Sequence, residues 1–274
     1  MTIRGVVLDM DGVLWRGDEP LPGLTELFGT LARLELPFVL ATNNATKTVS
    51  QYVQKLARLR VEVRPDQVLT SPGAAASYLK QHFPAGTNVY VVGEAALRET
   101  LAAAGFNIVG ADEVRAGQTA RVVVGGLATT SLSYALLASA SLLVRRGAAF
   151  VATNYDLTYP SEIGQLPGAG AVLSVISAAS GVEPTVTGKP YPAMFEAAAR
   201  RLGTRPDETL MVGDRLETDV AGAKAAGFKA ALVLTGVSSR EDLGSVPADG
   251  APDYILDDLT ALGDLLQHLA DESR

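Results

Sequence analysis

The chain has 274 residues, 47% hydrophobic and 19% charged, a balance that fits a globular protein of one large or two modest domains. A net charge of −7 argues against nucleic acid as a partner, because gripping a phosphate backbone needs a basic face. With no cysteine, disulfides, thiolate catalysis and cysteine-ligated zinc are excluded; two histidines far apart leave no basis for a histidine metal site or a Ser-His-Asp triad.

In chain order, Val6 to Leu8 reads as a short buried strand, too short for a helix. It ends in two carboxylates, Asp9 and Asp11, separated by Met10. Ligands of open α/β sheets sit beyond the carboxyl ends of the strands, so the pair is a site candidate. The competing reading is a polar strand exit with Asp11-Gly12 as turn residues. A polar turn, Arg16 to Gly23, precedes a helix marked by Leu24, Leu27, Leu31 and Leu34 and stopped by Pro37. Phe38 to Ala41 is the next buried strand. It runs into Thr42-Asn43-Asn44, ahead of a helix with Val49, Tyr52, Val53 and Leu56 on one face. The start of a helix favours an anion, although simple N-capping would account for the same polar residues.

From about Thr70 the pattern restarts. The sequence predicts a helix through Tyr78 and Leu79, a strand at 88–93, a helix at 94–104 and strands at 106–109 and 121–125. A long helix, 131–146, and a strand at 149–152 complete this stretch. It forms a second, smaller α/β unit, placed at residues 74–178. Its glycines, Gly93, Gly125-Gly126 and Gly168-Ala169-Gly170, never complete a Gly-x-Gly-x-x-Gly spacing after a strand and read as turn and helix-start residues.

The remaining chain, 179–274, returns to the first theme. Lys189, between Gly188 and Pro190, stands before a helix opened by Pro192; most lysines are merely solvated, but these neighbours restrict its backbone. Thr209 to Gly213 is another buried strand with acids at its tip, Asp214 and Asp219. A helix with Val220, Ala223 and Ala226 stops at Gly227, strands follow at 230–234 and 254–256, and Leu259, Leu262, Leu266 and Leu269 mark a closing helix.

A right-handed α/β winding brings these strand tips to one sheet edge. Asp9, Asp11, Asp214 and Asp219 would repel one another there unless a hard, oxygen-seeking cation such as Mg²⁺ lay between them. Thr42, Asn43 and Lys189 opposite suit a dianionic phosphoryl group, with the lysine as a point charge. Such an apparatus fits phosphoryl transfer, which depends on positioning and charge neutralisation.

Asp9-Met10-Asp11-Gly12-Val13-Leu14, Thr42-Asn43, Lys189 and Gly213-Asp214-Arg215-Leu216-Glu217-Thr218-Asp219 resemble the four motifs of the haloacid dehalogenase-like (HAD) phosphatases in order and spacing. Ala41-Thr42-Asn43-Asn44, Gly188-Lys189-Pro190 and the Asp-Gly-Val-Leu-Trp-Arg-Gly run make the chain most similar to the NagD-like, 4-nitrophenylphosphatase subfamily (subfamily IIA). The resemblance implies a flavodoxin-like (Rossmannoid) parallel-sheet core, residues 1–73 and 179–274, with the α/β unit 74–178 inserted as a cap. It implies a Mg²⁺-dependent phosphatase acting on a small phosphate monoester; a cytoplasmic location is the default expectation where no apolar signal region precedes the first strand. Asp9 would be the nucleophile that forms an aspartyl-phosphate, and Asp11 the general acid and then base. Asp9, the Asp11 backbone carbonyl and Asp214 would hold Mg²⁺; Thr42, Asn43, Asn44 and Lys189 would bind phosphate; Asp219 would orient Lys189 or a metal water.

In the cap, Thr153 to Pro160 resembles the subfamily's specificity loop, with Asp156 and Tyr159 as leaving-group contacts; an ordinary surface loop is the equal alternative. Ala128 stands where relatives often carry an aspartate, which leaves phosphoglycolate, pyridoxal phosphate, nucleotides and sugar phosphates all open. A phosphotransferase or phosphomutase would share the same intermediate, and a phospho-acceptor signalling module would share the acids, threonine and lysine. No stretch approaches membrane-spanning length, so no membrane partner is expected, while assembly into a homo-oligomer stays open.

Overall fold

The computed structural model describes residues 2–161 and 164–272, and the chain divides into two units. The first comprises Met1–Thr42, Val49–Leu69 and Lys189–Arg274; the second comprises Asn43–Thr48 and Thr70–Gly188.

The first unit is built on a six-stranded sheet. Its strands run, in spatial order, Tyr254–Leu256, Lys229–Val233, Thr209–Gly213, Gly5–Leu8, Phe38–Thr42 and Val68–Thr70. Gly5–Leu8 is central and pairs parallel with Thr209–Gly213 on one side and Phe38–Thr42 on the other. Parallel registry places Leu8, Thr42 and Gly213 toward the same end of the sheet, which is why chemistry scattered along the sequence collects there. Apolar residues of these strands (Val6, Leu8, Leu40, Leu210, Val212) pack with Leu24, Leu27 and Leu31 of the helix Leu24–Arg33. They also pack with Leu259, Leu262 and Leu266 of the closing helix Leu259–Asp271, whose Asp258 caps the Ala261 N–H at 2.9 Å. The predicted leucine stripes are thus core, as helical periodicity requires.

The second unit holds a five-stranded parallel sheet ordered Thr185–Val186, Ala149–Ala152, Val122–Gly125, Asn88–Val92 and Asn107–Val109. Alternate residues of its strands bury into two separate cores: Val89 and Val91 face Leu97 and Leu101, while Tyr90 and Val92 face Leu136 and Leu173. This α/β architecture is the one the sequence patterns point to. Thr185–Val186 pairs with Ala149–Ala152, so residues 179–188 group with the second unit, later than the boundary read from glycine and serine punctuation.

Several elements differ from the sequence reading. The polar turn after Leu14 contains a short antiparallel ladder, Trp15–Arg16 with Glu19–Pro20. The predicted specificity loop ends in a strand, Thr158–Ser161, paired with Gly164–Pro167. The helix predicted from residue 131 begins at Tyr134, because the Ser133 hydroxyl caps the Leu136 N–H. The helix after Thr42-Asn43 starts only at Val49, so those residues do not cap it. Among the described residues no helix is long and apolar enough to cross a membrane.

Candidate active site

At the carboxyl end of the first unit's sheet, Asp9 extends the central strand, its N–H bonding the Val212 carbonyl at 2.9 Å. Asp214 follows directly on the neighbouring strand Thr209–Gly213. Asp9, Asp214 and Asp219 each offer a carboxylate oxygen within 4.8 Å of the others, and all three side chains are buried.

One ammonium serves this group. Lys189, itself buried, reaches Asp9 Oδ1 at 2.5 Å, Asp219 Oδ1 at 2.7 Å and the Ala41 carbonyl at 3.4 Å. Burial alone would lower the lysine, but Asp219 and Asp9 outweigh it and hold the ammonium above the usual range. Burial pushes the Asp9 carboxyl up to about 8, with Lys189 opposing and the charges of Asp219 and Asp214 adding to the rise. Asp214 is raised for the same two reasons, burial first and Asp219 second. Three carboxylates against one ammonium leave excess negative charge in a dry place, which is costly unless it is neutralised.

The donor set fits a divalent cation. Asp219 already spends Oδ1 on Lys189 and Oδ2 on the Arg215 N–H at 3.2 Å, and Asp214 Oδ2 accepts from the Val237 N–H at 2.8 Å. Asp214 Oδ1, however, is buried and has no hydrogen-bond partner, an arrangement that favours an oxygen-bound metal ion over apolar surroundings.

Sequence reasoning missed what fastens Asp214. The segment 235–238 wraps its carboxylate and backbone: the Ser238 N–H bonds the Asp214 carbonyl at 3.0 Å, and the Ser238 hydroxyl accepts from the Leu216 N–H at 3.0 Å. Gly12, at φ 85°, and Gly236 both pack so tightly on Asp214 that a methyl group at either would overlap its carboxylate. Thr235 ties this segment back to the Gly12 carbonyl at 2.7 Å, and Arg16 holds the Thr235 carbonyl. No residue type here advertises a site; the signal is backbone donors and missing Cβ atoms.

The other predicted residues lie as follows. The Asp11 side chain is exposed and stands outside the carboxylate cluster, its Oδ1 accepting from the Trp15 indole at 2.7 Å. Thr42 is buried at the end of its strand. Asn43 and Asn44 belong to the second unit. There the Asn43 carbonyl accepts from the Ser71 hydroxyl at 2.7 Å and the Asn154 amide at 2.8 Å, and Asn44 Oδ1 accepts from the Thr46 N–H and hydroxyl at 2.8 Å each. Also in that unit, the Asp156 side chain is exposed while its carbonyl takes the Gly170 N–H at 2.9 Å, and half-buried Tyr159 pairs with Leu166 in the hairpin.

Residues 6–107 match the family model of haloacid dehalogenase-like hydrolases, and residues 186–262 match a second HAD-hydrolase-like model. An acid sugar phosphatase of Staphylococcus epidermidis is 35% identical over 256 residues, spanning 93% of this chain and 95% of the relative. A glycerol phosphate phosphatase from Mycobacterium tuberculosis, solved in complex with magnesium, superposes with a TM-score of 0.85 at 35% identity, covering 96% of this chain and 78% of that one. NagD from E. coli superposes with a TM-score of 0.84 at 35% identity, covering 94% and 97%.

Proposed function

Since the chain belongs to the haloacid dehalogenase-like hydrolases, within their NagD-like phosphatases, we propose that it hydrolyses a small phosphate monoester through an aspartyl-phosphate on Asp9, with Mg²⁺ held by Asp9 and Asp214. The observation that carries this reading is the buried trio Asp9, Asp214 and Asp219 around one ammonium, with Asp214 Oδ1 unpartnered. The Asp11 backbone carbonyl completes the proposed protein ligands. Bound there, Mg²⁺ would supply positive charge to the phosphoryl oxygens and let an anionic carboxylate approach an anionic ester.

The chain's own residues divide the work. An Asp9 carboxylate oxygen bonds to phosphorus as the bond to the leaving oxygen breaks, and the Asp11 carboxyl gives that oxygen its proton. Asp11, now a carboxylate, takes a proton from water; the water oxygen bonds to phosphorus, the Asp9–phosphorus bond breaks, and inorganic phosphate leaves. Lys189 and Thr42, with Asn43 and Asn44 from the following segment, bind the phosphoryl oxygens. Asp219 aims Lys189, since its 2.7 Å contact fixes the ammonium. Sugar and polyol phosphates are the substrate class we favour, in keeping with relatives named acid sugar phosphatase and glycerol phosphate phosphatase, and Asp156 and Tyr159 are assigned to leaving-group choice.

Release of nitrophenol from 4-nitrophenyl phosphate tests the reading. Turnover should vanish on chelation, return with Mg²⁺, and be abolished in a folded Asp9→Asn variant. Substantial hydrolysis by that variant would remove Asp9 as nucleophile.

A further inference from the structure

Trp15 is the chain's single tryptophan, and it is fully buried. The backbone from Asp9 to Trp15 closes on itself: the Met10 carbonyl accepts from the N–H groups of Val13, Leu14 and Trp15, and the Gly12 N–H returns to the Trp15 carbonyl at 2.8 Å. That loop delivers the indole N–H to Asp11 Oδ1 at 2.7 Å, while the Asp11 side chain is otherwise exposed.

The indole is clamped in turn. Tyr52 stacks on it with ring centres 6.4 Å apart and planes 15° apart, and the Lys55 ammonium lies 4.4 Å from its ring centre. Lys55 is a buried lysine, held by the Gly17 carbonyl at 2.5 Å and the Asp18 carboxylate at 3.2 Å. Burying a lysine is costly, and here its charge is spent on the tryptophan ring. A tryptophan needed only for volume could satisfy its N–H on a backbone carbonyl; this one satisfies it on an exposed carboxylate. An exposed aspartate otherwise samples several rotamers, and a fixed donor removes that freedom.

We propose that Trp15 is the positioning residue for Asp11, holding one carboxylate oxygen so that the other meets the leaving oxygen and then water, with Tyr52 and Lys55 fixing the indole. The proposal rests on the reading of Asp11 as general acid and base. Trp15 exchanges no proton; it acts only through Asp11. Displacing an acid costs most where the leaving oxygen most needs its proton, so the effect must depend on the leaving group.

The test measures kcat and KM for phenyl phosphate and 4-nitrophenyl phosphate, two esters of similar shape and different leaving ability. The wild type, Trp15→Phe, Asp11→Asn and the double variant are compared. Trp15→Phe should lower kcat for phenyl phosphate about 10-fold more than for 4-nitrophenyl phosphate, with KM within about twofold, and should add nothing in the Asp11→Asn background. Lys55→Met should reproduce the same selectivity at smaller size, and it carries the test if Trp15→Phe fails to fold. Equal losses on both esters, or losses that multiply with Asp11→Asn, would overturn the proposal and leave Trp15 a packing residue. If Asp11→Asn alone treats the two esters alike, the role of Asp11 itself falls and the proposal with it, an outcome recognisable without touching Trp15.

Discussion

Lys189 and Asp219 meet at 2.7 Å, ammonium to carboxylate, with both side chains buried. The same ammonium touches Asp9, so one cation fixes the nucleophile's carboxylate relative to Asp219, in the helical turn Leu216–Val220 that follows the neighbouring strand. These contacts hold the strand-end groups together at the expense of crowding charge.

Removing that ammonium should expose the crowding. Lys189→Met strips the buried Asp219 and Asp9 of their shared cation and should cost the metal-free protein about 3–5 kcal/mol, the usual consequence of breaking a buried ion pair from one side. Urea unfolding with chelator measures this, and added Mg²⁺ should recover part of the loss. Catalysis should be lost in either case.

Gly236→Ala should damage the metal site while sparing the fold. The added methyl overlaps both the carboxylate and the Cβ of Asp214, so Asp214 must move. The Mg²⁺ concentration for half-maximal activity should rise about 10–100-fold, as for other changes that misorient a ligand. Thermal unfolding without metal should shift by no more than a few degrees.

Because burial pushes the Asp9 carboxyl from 3.8 up to about 8, the folded metal-free protein keeps a proton there that the unfolded chain has lost. Between those values the native state binds more protons, so this contribution to stability falls as pH rises. Mg²⁺ must displace the same proton, and its binding tightens with pH across the window. The melting-temperature gain from Mg²⁺ should therefore be larger near pH 8 than near pH 6; the reverse order would contradict the assignment.

Glu94 supplies a pH response of opposite sign in the second unit. Burial would raise its carboxyl, but Thr129 and Thr130 donate two backbone N–H groups and two hydroxyls to it and bring it down to about 2. Its stabilisation is complete above the ordinary value of 4.5 and is lost as pH falls toward about 2. Acid unfolding followed by circular dichroism should lose this component in Glu94→Gln, which should also melt at a lower temperature than the wild type near pH 7.

What could be read from the sequence follows from periodicity. Buried parallel strands appear as unbroken apolar runs, so Val6 to Leu8 and Thr209 to Gly213 were visible, and with them the acids at their tips. Trp15–Arg16 and Glu19–Pro20 are too short to carry any period, so their pairing left no trace. The segment 235–238 acts through backbone N–H groups and a glycine that admits Asp214, neither of which residue identity announces. Spacing put Asp11 beside Asp9 in the chain, yet Gly12 at φ 85° turns the backbone and the Asp11 side chain goes to Trp15 instead of joining the cluster. The two-residue strand Thr185–Val186, which ties its stretch to the second sheet, is likewise too short to carry a period.

Acid quenching of the enzyme during steady turnover of 4-nitrophenyl phosphate with Mg²⁺, followed by mass spectrometry of the peptide that carries Asp9, tests the covalent step directly. A phosphoryl group on the Asp9 side chain, absent without substrate and absent in Asp9→Asn, is the predicted result. An unmodified Asp9 in enzyme quenched while fully active, together with a phosphoryl group on another residue or continued turnover by Asp9→Asn, would contradict it.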